Sequence, residues 1–212
     1  RNRFMEDKKL NKIDKIYKDS DTVKVYCKSY FKYLNEVLMG ISLTEVEQFI
    51  TTLIDARNQG TKIYFIGNGG SASTASHFAN DLAIGTREYD VPFKVISLCD
   101  NNAILTAIGN DDVFDSIFSQ QLQVLLNKGD VVVAITASGN SVNLLKAFDV
   151  AKEKGATTVG LVAFDGGKLK NKADVCVHVH TGKGEYGPAE DAHLVLDHLI
   201  SNYIMRFIKN NW

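Results

Sequence analysis

From Lys62 onward, short apolar runs alternate with amphipathic stretches, and no other feature of the 212-residue chain limits its fold so much. The runs at 62–66, 93–98, 131–135, 158–162 and 175–180 are rich in Val, Ile and aromatic residues and read as strands. Helical spacing of apolar residues marks 71–82, 113–126, 141–154, 168–172 and 189–208 between and after them. Strands joined through helices run parallel, because a parallel return needs a crossover. Near-continuous apolarity within each strand says that both sheet faces are covered. The expectation is an α/β, doubly wound, parallel five-stranded sheet.

The first sixty residues read as helices. Apolar residues recur at helical spacing through Val23, Tyr26, Tyr30, Tyr33, Leu34 and Leu38, and again through Val46, Phe49, Ile50, Leu53 and Ile54. Gly40 supplies a C-cap, Ser42 and Glu45 a capping box, and Gly60 a stop. The pattern predicts an N-terminal helical hairpin lying on the sheet or on a partner subunit. No break in composition follows Gly60, so residues 1–212 read as one domain, with helices over 1–60 and the α/β sandwich over 61–212.

Composition excludes several function classes. Lys plus Arg is 24 against 25 for Asp plus Glu, a net charge of −1, which lacks the uncompensated basic surface of a nucleic-acid binder. No uncharged apolar stretch reaches the roughly 18 residues that a membrane span needs. Arg1 to Phe4 are basic but lack the apolar core of a signal peptide, and Met5 reads as a natural start. Cys27, Cys99 and Cys176 are odd in number and show no C-x-x-C spacing, so they read as reduced core thiols of a cytoplasmic protein.

A doubly wound sheet binds ligands outside the carboxyl ends of its strands, so the loops after the strands deserve the closest reading. Gly67-Asn68-Gly69-Gly70-Ser71 follows the first strand and opens a helix. Glycines let backbone approach an anion, and a helix N-terminus offers free N–H groups. Gly67, Gly69 and Ala72 also fit a permissive dinucleotide fingerprint, with Asp100 as the ribose ligand, and a plain structural turn is the third reading. Thr136-Ala137-Ser138-Gly139-Asn140-Ser141 follows the third strand. Its hydroxyls, glycine and helix N-terminus suit a phosphate monoester, although Ser141 alone could be only an N-cap. Ala107 to Asp112, in the long connection after the second strand, offers Asn110 and Asp111 to sugar hydroxyls or forms a solvated turn.

Titratable groups cluster on two helices. His77 and Asp81 are four apart and share a face. The last helix carries Glu190, Asp191, His193, Asp197 and His198; Asp191 lies about 20° and Glu190 about 80° from His198 around the helix axis. Two histidines and two carboxylates from two helices suit a zinc-like divalent ion, and equally an acid/base pair.

Five motifs occur in an order that resembles one known family: Gly67-Asn68-Gly69-Gly70-Ser71, His77-Phe78-x-x-Asp81-Leu82, Thr106 to Asp111, Ser138 to Ser141, and His193-x-x-x-x-His198. The chain resembles the sugar-isomerase (SIS) domain proteins of the phosphoheptose isomerase group. That resemblance implies a flavodoxin-like sheet, a homotetramer, and conversion of D-sedoheptulose 7-phosphate to D-glycero-D-manno-heptose 7-phosphate for bacterial surface heptose. It implies a phosphate site at Thr136, Ala137, Ser138 and Ser141, with Asn68, Gly69, Gly70, Ser71, Asn110, Asp111 and Glu190 around the sugar. It implies one Zn²⁺ per subunit on His77, Asp81, Glu190 and His198, proton transfer by Asp81 and His198, and no organic cofactor.

The family usually has Glu where this chain has Asp81, and Gln where it has Glu190. A carboxylate one carbon shorter reaches roughly 1.5 Å less far, a misplacement able to cost about 10²-fold in rate. Glu190 adds a negative charge beside the metal, which strengthens divalent binding. These departures keep two further readings open: a non-catalytic SIS protein that binds a sugar phosphate or a protein, and an isomerase of another ketose phosphate.

Overall fold

Five strands, β1 (Lys62–Gly67), β2 (Lys94–Ser97), β3 (Val131–Thr136), β4 (Thr157–Val162) and β5 (Val175–His178), pair in parallel in the order β2-β1-β3-β4-β5. They do so in a computed structural model that describes residues 10–210. Residues 1–5, where the sequence suggested a start at Met5, lie outside the described residues. The strand order is that of flavodoxin-like sheets, whose switch point lies between β1 and β3. Each strand was legible to within two residues.

Alternating side chains of each strand feed two cores. Ile63, Phe65, Val133 and Leu161 face one side, where they pack with Phe49, Leu53, Phe78, Leu196 and Ile200. Tyr64, Ile66, Val132 and Ala134 face the other, against Phe118, Leu122, Leu144 and Phe148. The first layer is built by α3 (Leu43–Gln59), α4 (Gly70–Asn80) and α9 (Tyr186–Asn210); the second is built chiefly by α6 (Ser119–Leu125) and α7 (Val142–Glu153).

The N-terminal helices α1 (Lys12–Lys18) and α2 (Val23–Met39) precede α3, and α2 and α3 meet at a bend of 69°. Side-chain oxygens of Thr22 and Ser42 cap α2 and α3. Helix α3 buries Val46, Phe49, Leu53 and Ala56 in the core, whereas α2 buries only Val37. Polar clasps hold α2 to α9 and to the residue before it: the Tyr30 hydroxyl donates to Asp191 at 2.5 Å and the Tyr33 hydroxyl donates to Glu185. Among the described residues no single helix is long and apolar enough to cross a membrane. The three cysteines are free and half-buried.

Two sequence expectations give way. Of residues 107–112, read as loop, all but the C-cap Asp112 belong to α5 (Asn102–Asp111), because the Asn101 side chain caps its first turn and Leu105 and Ile108 pack on the second core. The single helix expected over 113–126 splits into a 3₁₀ turn (Phe114–Ser116) and α6. The remaining helix, α8 (Gly167–Lys172), follows β4.

Candidate active site

The connections after β1 and β3 diverge to opposite faces of the sheet, and the crevice between them holds a small cavity of about 150 Å³. Asn68, Ser71, Ile135, Thr136, Ala137, Ser138, Ser141, Tyr186 and Glu190 line it. On the β3 side, the Gly139 amide donates to Thr136 Oγ1 at 3.2 Å and the Asn140 amide donates to Ser138 Oγ at 3.3 Å. Gly139 has φ +62°, and a Cβ there would overlap the carbonyl oxygen of Gly166, so only glycine fits. Ser141 occupies the N-cap position of α7, yet its side chain makes no capping hydrogen bond. Its hydroxyl is therefore free to meet a ligand beside a twelve-residue helix N-terminus.

On the β1 side, Asn68 and Asn143 exchange two amide hydrogen bonds, at 3.0 and 2.8 Å, which fixes the loop to the start of α7. Glu190 enters from α9, and its carboxylate lies so close to Gly70 that a Cβ there would come within 2.5 Å of Oε2. Tyr186 sits edge-on to Phe164 at a ring separation of 5.1 Å. Phe164 holds a positive φ of 52°, which is uncommon for a bulky residue.

A second group of side chains gathers further along α4 and α9. His77 Nε2 lies 3.3 Å from His198 Nε2 and 3.6 Å from Asp81 Oδ2. Asp81 opens a π-helical turn (Asp81–Gly85) that continues α4, a local widening often found at functional sites. Asp197 completes the group: one ligand atom from each of His77, Asp81, Asp197 and His198 lies within 4.8 Å of the others. Asp197 is fully buried, and among the described residues neither of its carboxylate oxygens has a hydrogen-bond partner. Burial, with the charge of Asp81 adding to it, pushes its carboxyl up to about 8.

Of the expected site residues, the cavity collects Asn68, Ser71, Thr136, Ala137, Ser138, Ser141 and Glu190, with Gly69 and Gly70 beside it at the start of α4. His77, Asp81 and His198 come together as a separate group. Glu190, expected among the metal ligands, is not in that group but against Gly70 at the cavity, about two turns of α9 away. Asn110 and Asp111 end α5, exposed and hydrogen-bonded to each other at 2.8 Å, and neither lines the cavity. Asp100, the ribose ligand of the dinucleotide reading, accepts a hydrogen bond from the Ser76 hydroxyl.

Asp197, Asn143 and Tyr186 were not singled out as site residues from sequence. For Asp197 a signal existed: it falls on the buried stripe of α9 with Ala189, Ala192, His193, Leu196, Ile200 and Ile204, where an apolar residue is expected.

The model of the SIS domain matches residues 25–163. The chain belongs to the SIS domain family. Within that family it groups with proteins named phosphoheptose isomerase. One from Aneurinibacillus thermoaerophilus is 34% identical over 194 residues, 91% of this chain and 96% of that protein. Another, from Geobacter sp. (strain M21), is 36% identical over 82% of this chain and 91% of its own. A solved phosphoheptose isomerase structure from Neisseria gonorrhoeae superposes with a TM-score of 0.77 at 29% identity, covering 86% of this chain and 98% of that one. In this SIS domain α4 and α9 carry the His/Asp group and reach the cavity through Ser71, Tyr186 and Glu190, while the loops after β1 and β3 supply the rest of its lining.

Proposed function

We propose that this chain is an aldose–ketose isomerase that converts D-sedoheptulose 7-phosphate to D-glycero-D-manno-heptose 7-phosphate through a cis-enediol, in bacterial surface-heptose synthesis. The observation that carries the reading is a hydroxyl-rich anion cradle after β3 facing Ser71 and Glu190 of α4 and α9, the two helices that also carry the His/Asp group. From Ser71 to His77 is six residues of α4, about 9 Å of rise, and from Glu190 to His198 is eight residues of α9, about 12 Å. An extended seven-carbon sugar phosphate spans about 10 Å from phosphorus to C1, by ordinary bond lengths.

In this reading the hydroxyls of Thr136, Ser138 and Ser141 and the amides at the start of α7 hold the phosphate. Asn68, Gly69, Gly70, Ser71 and Glu190 meet the sugar hydroxyls. Asp81 removes a proton from C1 of the open-chain ketose while the C2 carbonyl oxygen gains one, giving the enediol. Return of a proton to C2, with loss of the C1 hydroxyl proton, leaves the aldehyde at C1. No oxidant or organic cofactor enters the balance. His198 moves the hydroxyl protons.

The donor set, two imidazoles with carboxylates, suits zinc. The His77–His198 spacing of 3.3 Å fits two nitrogens each about 2.0–2.1 Å from one tetrahedral ion. A divalent ion held by His77, Asp81 and His198 would supply positive charge beside the oxygens that become anionic during enolisation. Exposed apolar residues on α2, including Val23, Phe31 and Met39, support self-association as a homotetramer. The free cysteines support a cytoplasmic location.

The test is proton NMR of sedoheptulose 7-phosphate with zinc-supplied protein in deuterated water. The expected result is aldose product, with deuterium at C2 where the transferred proton exchanges with solvent. Binding of the sugar phosphate without turnover would overturn the isomerase reading in favour of a non-catalytic sugar-phosphate binder.

A further inference from the structure

A buried carboxylate normally has hydrogen-bond partners, because leaving its charge unpaired costs several kcal/mol. Asp197 has none among the described residues, although both oxygens are enclosed and the residue lies on a buried stripe that is apolar apart from His193 and Ser201. What it faces is unusual: His77, Asp81 and His198, with ligand atoms of all four within 4.8 Å. Two of these neighbours are imidazoles already at the separation of an edge of a zinc coordination tetrahedron. The Asp81 side chain is short and reaches His77 only at 3.6 Å. Glu190 lies elsewhere, against Gly70 at the wall of the phosphate cavity.

We propose that Asp197 is a metal ligand of this chain, completing a two-histidine, two-aspartate site for a divalent ion with His77, Asp81 and His198, while Glu190 serves the sugar phosphate and not the ion. The inference rests on the reading of this cleft as the reacting end of an isomerase. It differs from that reading in which side chains it assigns to the metal. Two carboxylates and two neutral imidazoles give a site of net charge zero once a 2+ ion binds. The ion then supplies the partner that the buried Asp197 oxygens otherwise lack.

The test measures metal binding in the absence of sugar, so it does not depend on turnover. Metal-stripped full-length protein is titrated with Zn²⁺ by calorimetry and with Co²⁺ by visible absorption, and its melting temperature is read with and without metal. The wild type is expected to bind one ion per chain, to give the intense visible bands of low-symmetry cobalt, and to melt higher with metal. Asp197→Asn should lose about 100-fold or more in affinity and most of the metal-induced melting shift. Glu190→Gln should bind within about 3-fold of wild type.

Without metal, Asp197→Asn and Asp197→Leu should melt no lower than wild type, because each removes an unpartnered buried carboxyl. Wild-type affinity in Asp197→Asn would overturn the assignment. So would a fall in Glu190→Gln as large as that in Asp197→Asn, or no stoichiometric binding by the wild type. Stoichiometric metal through Asp197 without turnover of the heptulose phosphate would retain the site and reject the isomerase reading alone.

Discussion

The phosphate cavity and the His/Asp group both draw on α4 and α9 but are organised by opposite means. At the cavity local chain geometry does the positioning: Gly139 has a conformation other residues avoid, and the Asn68 and Asn143 side chains lock the loop after β1 to the start of α7. At the His/Asp group the side chains crowd charge-bearing atoms together, and Asp197 is left without a hydrogen bond. A site that meets a constant group, such as a phosphate, can be built rigid and nearly neutral. A site that must move protons needs groups whose charge can change, and so carries electrostatic tension.

The largest effect should separate the two regions by kinetics. Asp81→Asn and His198→Ala are expected to lower kcat by roughly 10² to 10⁴, the range for losing an acid or base. KM should change only a few-fold, because the cradle is untouched. A rise in KM with kcat unchanged would break the division between a binding region and a reacting region.

The next effect concerns His193, which lies on α9 between Glu190 and Asp197 and is fully buried. Burial pushes its imidazole down to about 4, so the folded protein keeps it neutral where the unfolded chain, near 6.5, takes up a proton. The unfolded state thus binds more protons between those values. Its contribution to stability is full above about pH 6.5 and is lost as pH falls toward 4, by at most about 3 kcal/mol. Urea melts of wild type and His193→Leu across that window should show the acid loss shrinking in the variant. Parallel curves would remove His193 as the acid-sensitive element of the helix that joins the regions.

The smallest effect sharpens the cradle itself. Ser141→Ala should weaken binding of the sugar phosphate about 10-fold, the worth of one hydrogen bond to a charged group. Its melting temperature should stay within about 2 °C of wild type, since the hydroxyl caps nothing. A fall in stability with binding intact would return Ser141 to the role of a helix cap.

How much was legible follows from where the information resides. Strands and the loops that follow them are local in sequence, so β1 with Gly67 to Ser71 and β3 with Thr136 to Ser141 could be read directly. Residues 107–112 misled because Gly109 and Asn110 are turn residues by type; the Asn101 cap and the packing of Leu105 and Ile108 outweigh that preference. Spacing on a helical wheel related Glu190 to His198, but it carried no record of how α4 meets α9. That packing brings Asp197, not Glu190, to His77 and Asp81. The oddity of an aspartate on an apolar stripe was visible; its partners were not.

The contact of Gly139 with the connection after β4 has a consequence for inheritance and for engineering. The Leu169 amide donates to the Gly139 carbonyl at 2.9 Å, the Lys168 amide donates to Asn140 Oδ1 at 3.2 Å, and Gly166 leaves no room for a Cβ on Gly139. Two segments nearly thirty residues apart therefore behave as one cassette. Substitutions in either must be matched in the other, and a graft that transplants 136–141 into another scaffold without 163–169 would carry the letters of the cradle but not its shape.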